Sequence, residues 1–394
     1  MSRYDGEFEI VFETTTAGVT IQSPQSNIST VAAGGGSRLF WRNGLFVTGP
    51  ESASSDPGPA CYRKSGPPAI TDANLVLGRL LPEHFPHIFG PNEDQGLDVD
   101  ASKSALEKLR EIINADTGGD MSLDEVAWGF VKVANESMCR PIRSLTEARG
   151  YDTSNHVLAC FGGAGGQHAS AIADTLGIRT ILIHKFSSVL SAYGMALAER
   201  VHEAQEPSAE TWGSDEVRQK LGRRLDQLSS QVASNLEDQG FAKERVDVER
   251  YLNMRYDGTD TALMIKENDG ATFEDGFTKS YKQEFGFTMD VPIVVDDVRA
   301  KGIGRSFDSL GPSVFDEASE LKFEQADEPA EVSSVYFDKV GRRDVPVYML
   351  DALPAGKLVE GPAMVLDGTQ TIVIDPHWVA KVTSKHLLIE KDIK

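Results

Sequence analysis

The chain has 394 residues, 40% hydrophobic and 25% charged, which is the makeup of an ordinary globular protein with room for two or three domains. Its 60 acidic and 39 basic side chains leave a net charge of −21. That charge repels nucleic-acid backbones and anionic lipid, so neither is expected as a partner. No apolar run approaches the roughly 18 residues of a membrane span. Cys61, Cys139 and Cys160 form no C-x-x-C pair, so they read as free thiols in a reducing compartment, and the cytosol is the expected location.

The first residues, "MSRYDGEFEIVFETTTAGVTIQSP", alternate like a strand. "STVAAGGGSRLFWRNGLFVTGP" predicts strand, glycine turn, strand, with Asn43–Gly44 as a tight hairpin turn. From Pro50 to Pro68 the chain is rich in Pro, Gly and Ser and predicts a long loop, ordered by its aromatic and cysteine residues. Glu51 and Asp56 in this region offer the oxygen ligands that suit magnesium, or could orient a substrate; solvated acids on a proline-stiffened loop are the other reading. Thr71 or Asp72 in "TDANLVLGRL" would cap a short helix.

Helices follow. "DASKSALEKLREIINA" has apolar residues at helical spacing, and "SLDEVAWGFVKVANESMCRPIRSLTEARG" opens on a capping box, Ser122 with Glu125. Pro141 is expected to kink that helix and Gly150 to end it. Arg140 and Arg143 share a face at i, i+3 and could hold a carboxylate or phosphate; ion pairs with the chain's many acids are the alternative.

Next comes "HVLAC", a strand, and then "FGGAGGQHASAIADTLGI", with four glycines in five positions running into a helix. This is neither G-x-x-x-x-G-K-[ST] nor G-x-G-x-x-G. A strand, a bare turn and a helix start favour an anion or a flat ring lying on backbone, and Gly162, Gly163, Ala164, Gly165 and Gly166 are the candidate contacts, with His168 beside them. Tight packing of helix on sheet explains the same pattern. "RTILIHKFSSVLSAYGMALAERV" adds a second strand and helix, so parallel strands of an α/β core are expected.

"DEVRQKLGRRLDQLSSQVASNLEDQG" predicts a long amphipathic helix closed by Gly240. "VERYLNMRYDGTDTALMIKE" reads as strand with a turn at Asp257–Gly258. The acidic "DEASELKFEQADEPAE" reads as a linker into a small all-β unit from about residue 330. The domain spans expected are therefore 1–205, 206–325 and 330–394. No G-x-S-x-G, H-E-x-x-H or paired-cysteine zinc pattern occurs, and Pro86 separates His84 from His87.

Several long stretches together resemble the hydantoinase A/5-oxoprolinase family: "VAAGGGSRLFWRNGLFVTGPESASSDPGPACYRKSGPPAITDANLVLGRLLP", "VANESMCRPIRSLTEARGYD", "HVLACFGGAGGQHASAIADTLGI", "HKFSSVLSAYGMALAERVHEAQEP" and "YLNMRYDGTDTALMI". "FPHIFGPNE" and "HEAQEP" are similar to its eukaryotic-type branch. The resemblance implies an α/β, actin/Hsp70-like (ribonuclease H-like) ATPase lobe and ATP-dependent opening of 5-oxo-L-proline to L-glutamate, a step of glutathione turnover, with Mg2+ and K+. It also implies that Gly162–Gly166 lie against adenosine. In the family, phosphate-binding loops precede the "SRYDGEFE" region and a hydantoinase B-like half follows; neither matches this chain. A central portion that does not turn over alone is thus expected, associating as a homo-oligomer or with a hydantoinase B-like half. An inactive interaction module is the rival reading.

Overall fold

The computed structural model describes residues 1–6, 8–11, 14–16, 19–21, 25–268, 270–306 and 311–392. The strand expected over the first residues is realised as short antiparallel pairings, Ile10–Val11 with Gln25–Ser26 and Thr14–Thr16 with Val19–Ile21; positions 7, 12–13, 17–18 and 22–24 lie outside the described residues. The expected hairpin follows. β1 (Ser37–Arg42) pairs with β2 (Leu45–Ser52), and Asn43 and Gly44 both take positive φ, 53° and 74°, as a two-residue turn requires.

Three helices pack beside it: α1 (Ile70–Val76), α2 (Val99–Thr117) and α3 (Leu123–Leu145). Leu39, Ile70, Leu106 and Phe130 form their common core. The capping box of α3 is present: Ser122 Oγ accepts from Glu125 N at 3.3 Å, and Glu125 Oε2 accepts from Ser122 N at 2.7 Å. The helix ends at Leu145 rather than Gly150. Thr146 leaves helical geometry, its hydroxyl donating back to Ile142 O, and Gly150 instead closes a separate turn over Glu147–Arg149. β3 (Val157–Cys160), α4 (Ala169–Leu176) and β4 (Thr180–His184) then make a parallel crossover, Val157 opposite Thr180.

The chain divides into two compact units, Met1–Leu190 with Pro312–Lys394, and Ser191–Gly311. In the second, β5 (Arg200–Thr211), α5 (Asp215–Asp238), β6 (Val246–Tyr256), β7 (Leu263–Lys266), α6 (Phe273–Phe285) and β8 (Ile293–Gly304) follow in order. The strands form one antiparallel sheet ordered β7-β6-β8-β5. Leu221, Leu225, Leu228, Val232 and Leu236 recur every three or four residues on α5 and are all buried against it.

The C-terminal strands return to the first unit: β9 (Glu324–Gln325), β10 (Glu331–Phe337), β11 (Gly341–Met349), β12 (Lys357–Glu360), β13 (Ala363–Leu366), β14 (Thr371–Ile374), β15 (Trp378–Val382) and β16 (His386–Lys391). The stretch is all-β, as its pattern predicts, but it does not close on itself. β16 pairs antiparallel with β4, His386 opposite His184 and Glu390 opposite Thr180, so the sheet runs β9-β12-β15-β16-β4-β3. The spans 206–325 and 330–394 are therefore not the units of this fold. The acidic segment is also more than a linker: Glu324–Gln325 adds a parallel strand beside Lys357–Leu358, and Glu317 accepts from Ser384 N and Oγ. A second sheet, β10-β11-β13-β14, lies in the same unit. Among the described residues no helix is long and apolar enough to cross a membrane.

Because β16 lies between β4 and β15, truncation after residue 384 should break the central sheet. Native-state hydrogen exchange is expected to show β3 and β4 amides losing protection while β6 and β8 keep theirs. Retained protection in β3 and β4 would contradict this account of the sheet.

Candidate functional site

Five segments of the first unit enclose a cavity of about 510 Å³. They are the turn at Gly35–Gly36, the loop from Ser54 to Tyr62 with the start of α1, the segment from Leu80 to Phe89, the glycine turn with Gln167, and the loop from Leu366 to Thr371. Asp72, fully buried near the start of α1, holds the loop wall in place. Its Oδ2 accepts from Ala60 N and Ala69 N at 3.0 and 2.8 Å, and its Oδ1 from Cys61 N and Ser102 Oγ at 2.9 and 2.6 Å. Four accepted bonds satisfy a buried carboxylate; the bond from Ala69 N caps the start of α1, as the sequence reading expected of Thr71 or Asp72, and the other three organise the loop.

The glycine turn is bare for more than one reason. Gly162 has φ +94° and donates its N–H to Ser187 O at 2.7 Å. Gly163 and Ala164 line the cavity, but a Cβ on Gly163 would stand 2.8 Å from Thr369 O. Gly165 and Gly166 face protein: a Cβ there would meet Cys160 Sγ, or Thr371 O and Ile372, at 2.8 Å. Most of the glycine density thus lets the 367–371 loop and β14 pack on the turn, and Gly163–Ala164 is the part facing the cavity.

His168 does not line the cavity. It is 3% exposed, with Nδ1 2.7 Å from Asn135 Oδ1 and Nε2 3.5 Å from Asn74 Nδ2. Burial first, and then the nearby Arg79 guanidinium, push its pKa down to about 4, so the ring is neutral. Glu51 sits on β2 paired with Arg42 at 3.2 Å, and Asp56 is exposed on its loop; neither lines the cavity. Arg140 is exposed on α3, and Arg143 is tied to Glu136 at 2.5 Å. The chain's own acids engage Arg143, as they do Arg149 through Glu9. The four candidates do not converge, and among the described residues no group of three or more His, Cys, Asp or Glu is placed to hold a metal.

Three contributors were not legible as site residues. The 367–371 loop carries an Asp-Gly turn between two apolar runs, which signals a hairpin but not a site. Gln167 lies at the end of the glycine turn. Asn74 is a polar residue inside an apolar helical run, and only its burial in the structure sets it apart. The carboxylate and imidazole among the described lining residues are Asp367 and His84, and no lysine or arginine joins them. Asp367 is saturated: its Oδ1 accepts from Thr369 N, Thr369 Oγ1 and Gln370 N, and its Oδ2 from Gln370 Nε2 at 2.9 Å. His84 pairs with Glu331 at 2.7 Å. This arrangement can bind and orient an uncharged polar group; it offers no free general base.

The His168 pKa of about 4 lies below the ordinary 6.5 of an imidazole, so unfolding takes up a proton. Its contribution to stability is complete above pH 6.5 and falls as pH drops toward 4, with a slope of at most ~1.4 kcal/mol per pH unit. Urea unfolding at pH 6.5 and pH 5 should show this loss, and His168→Gln should lessen it. An equal loss in the variant would remove His168 from the account.

The whole chain fits two family models, hydantoinase/oxoprolinase over residues 1–204 and the hydantoinase/oxoprolinase C-terminal domain over residues 208–393. It is 50% identical to a 5-oxoprolinase of Saccharomyces cerevisiae, covering 99% of this chain and 31% of that one, and 47% identical to a 5-oxoprolinase of Dictyostelium discoideum, covering 97% and 30%. The chain therefore spans about a third of the length of these curated relatives. Among solved structures, an ATP-dependent caprolactamase from Pseudomonas jessenii superposes with a TM-score of 0.81 at 25% identity, over 97% of this chain and 55% of that one. A nucleotide-free acetone carboxylase shares the fold, with a TM-score of 0.69 at 20% identity, over 98% and 56%. The mixed α/β ATPase-type architecture expected from the sequence is thus that of the solved relatives, and the chain belongs to the hydantoinase/oxoprolinase family.

Proposed function

We propose that this chain contributes the nucleotide-contacting part of an ATP-dependent cyclic amide hydrolase that opens 5-oxo-L-proline to L-glutamate, with ATP going to ADP and phosphate. The observation that carries this reading is the wall made by Gly163 and Ala164: exposed backbone just beyond a parallel strand, facing a cavity with no cationic side chain among its described lining residues. Such a wall suits the flat, uncharged part of a nucleotide. The relatives named 5-oxoprolinase, and the ATP-dependent caprolactamase, supply the reaction class.

A lactam is a stable amide. Moving the γ-phosphoryl group of ATP onto its carbonyl oxygen makes the ring carbon a better electrophile for water. The contribution of this chain is binding and alignment, since its cavity residues are saturated or uncharged. Gly162, Gly165, Gly166 and His168 support the nucleotide wall from behind. Mg2+ and K+ belong to the proposal as companions of ATP. With no ligand cluster among the described residues, magnesium would depend on phosphate oxygens and water, and no step is routed through it.

A second reading, an association module needing a partner such as a hydantoinase B-like half, is favoured by Phe161, Phe186 and Val189. All three are more than half exposed, around the ends of β3 and β4. One relative is named a caprolactamase subunit alpha.

ADP release with Mg2+ and K+, with and without 5-oxo-L-proline, tests the first reading. The chain alone is to be compared with the chain mixed with the flanking segments of the yeast relative. Substrate-dependent release in the mixture is the expected outcome; none in either sample would overturn the hydrolase reading. Separately, Gly163→Val should weaken titration by a fluorescent ATP analogue at least ~10-fold by forcing the 367–371 loop off the turn. Unchanged affinity would take the glycine turn out of the nucleotide site.

A further inference from the structure

We propose that the segment Pro82–Ile88 is a lid over the apolar side of the cavity, latched to the body of the first unit by the hydrogen bond between His84 and Glu331. The proposal goes beyond the nucleotide reading and does not depend on which ligand the cavity takes.

The segment is tied firmly at its two ends. Leu81 packs with Val335, Phe337 and Val345. Phe89 exchanges backbone bonds with Gln95, its N donating to Gln95 O at 2.9 Å and its O accepting from Gln95 N at 3.0 Å, and its ring centroid lies 4.5 Å from that of Tyr62. Gly90 N donates to Tyr62 O at 3.0 Å. Between these anchors the backbone bonds are local: His84 N to Leu81 O, Phe85 N to Pro82 O and Ile88 N to Pro86 O. Among the described residues, one hydrogen bond joins Pro82–Ile88 to anything beyond its anchors, from His84 Nε2 to Glu331 Oε1 at 2.7 Å. A carboxylate only accepts, so Nε2 carries the hydrogen. Both side chains are partly exposed, and a bond of that kind is weak enough to open thermally and still favour the closed arrangement.

The composition of the segment suits a lid. Phe85 packs on the cluster of Cys61, Leu75, Leu80 and Phe89, and with Ile88 it lines the cavity. Glu83 and His87 are exposed to solvent. Pro82 and Pro86 each fix a φ angle, so the segment moves as a piece about its anchors. A piece with few ties outside itself opens at small cost, and lids over sites are drawn from such pieces. Opening would uncover Leu80, which lines the cavity and is 4% exposed in the closed arrangement.

Thiol trapping tests the lid without any ligand. Leu80→Cys puts a thiol in the cluster that Phe85 packs on, and its modification by methyl methanethiosulfonate, followed by peptide mass spectrometry, reports opening. Cys139, fully buried in a different cluster, reports global unfolding. Adding Glu331→Ala should speed modification of the introduced thiol at least ~3-fold, the worth of a partly exposed hydrogen bond, and leave Cys139 unchanged. Glu331→Gln keeps an acceptor for His84 Nε2 and should restore the slow rate. Equal rates with and without Glu331→Ala, a parallel rise at Cys139, or no rescue by Glu331→Gln would overturn the proposal. Should Leu80→Cys fail to fold, 4-fluorophenylalanine in place of Phe85 decides by fluorine NMR. Exchange between a covered and a solvated environment is expected, with Glu331→Ala raising the solvated share; one resonance unmoved by Glu331→Ala would overturn the lid. Failure of ATP turnover would leave either result standing, so the two readings fail separately.

Discussion

The architecture of the first unit depends on one strand pairing. β16, near the end of the chain, lies between β4 and β15, so residues some 200 positions apart share hydrogen bonds. Leu387, Leu388 and Ile389 are almost wholly buried, and Leu387 and Ile389 share one core cluster with Ile181, Ile183 and Trp378. Burial of that order, at roughly 25 cal/mol per Å² of apolar surface, is the force that brings the C-terminal stretch home despite the entropy of closing so long a loop. The site follows from this. Once β15 and β16 are in the sheet, the 367–371 loop is laid on the glycine turn, with Thr371 N donating to Gly163 O at 3.4 Å. Gln370, 4% exposed, then locks the loop: its Nε2 donates to Lys185 O at 2.6 Å and its Oε1 accepts from Ser187 Oγ.

A buried cation lies beneath the same junction. Arg79 is 1% exposed, donates to Gln167 O at 3.2 Å, lies 3.6 Å from Asp375 and stacks over Trp128 with 4.7 Å between its Cζ and the ring centroid. An ion pair ordinarily raises the pKa of the arginine and lowers that of the acid. Here burial dominates both: Arg79 is pushed down and Asp375 up. Desolvation exceeds attraction, so the pair is not a net source of stability. What it does is geometric. The guanidinium spans α3 through Trp128, the end of the glycine turn through Gln167 and the residue just after β14, Asp375, three elements that must keep their relative positions for the cavity to exist. The turn is therefore held from both sides, by Gln370 above and Arg79 below.

Much of the local structure was legible because local chemistry determines it. Asn43–Gly44 can only be a tight turn between β-branched and aromatic runs, and Ser122 with Glu125 caps a helix whatever it packs against. The parallel β3–α4–β4 unit also follows from pattern. The domain division did not follow, because a short apolar strand such as "HLLIE" carries no mark of its partner; that β16 joins β4 is a fact of tertiary packing. The site was half legible for the same reason. The glycines stood out, but most of them serve close packing within the protein. Glu51, Asp56, Arg140 and Arg143 stood out as charges, yet a charge is visible in sequence whether or not it converges with others. Asn74, buried and polar in an apolar run, was hidden because an isolated asparagine has no signature until its surroundings are seen.

The charge distribution bears on what the cavity can hold. The chain carries a net charge of −21, and many of its arginines pair with its own acids, as Arg42 does with Glu51 and Arg143 with Glu136. A phosphate group needs local positive charge to be drawn into such a field. The described cavity lining has none: its one carboxylate is satisfied by Thr369 and Gln370, and Arg79 is sealed beneath Gln167. On the proposed reading, an uncharged ligand part would rest against Gly163 and Ala164, and a phosphate would find no counter-charge in this lining. A lining of bare backbone, amides and a saturated carboxylate is suited to positioning and not to proton transfer.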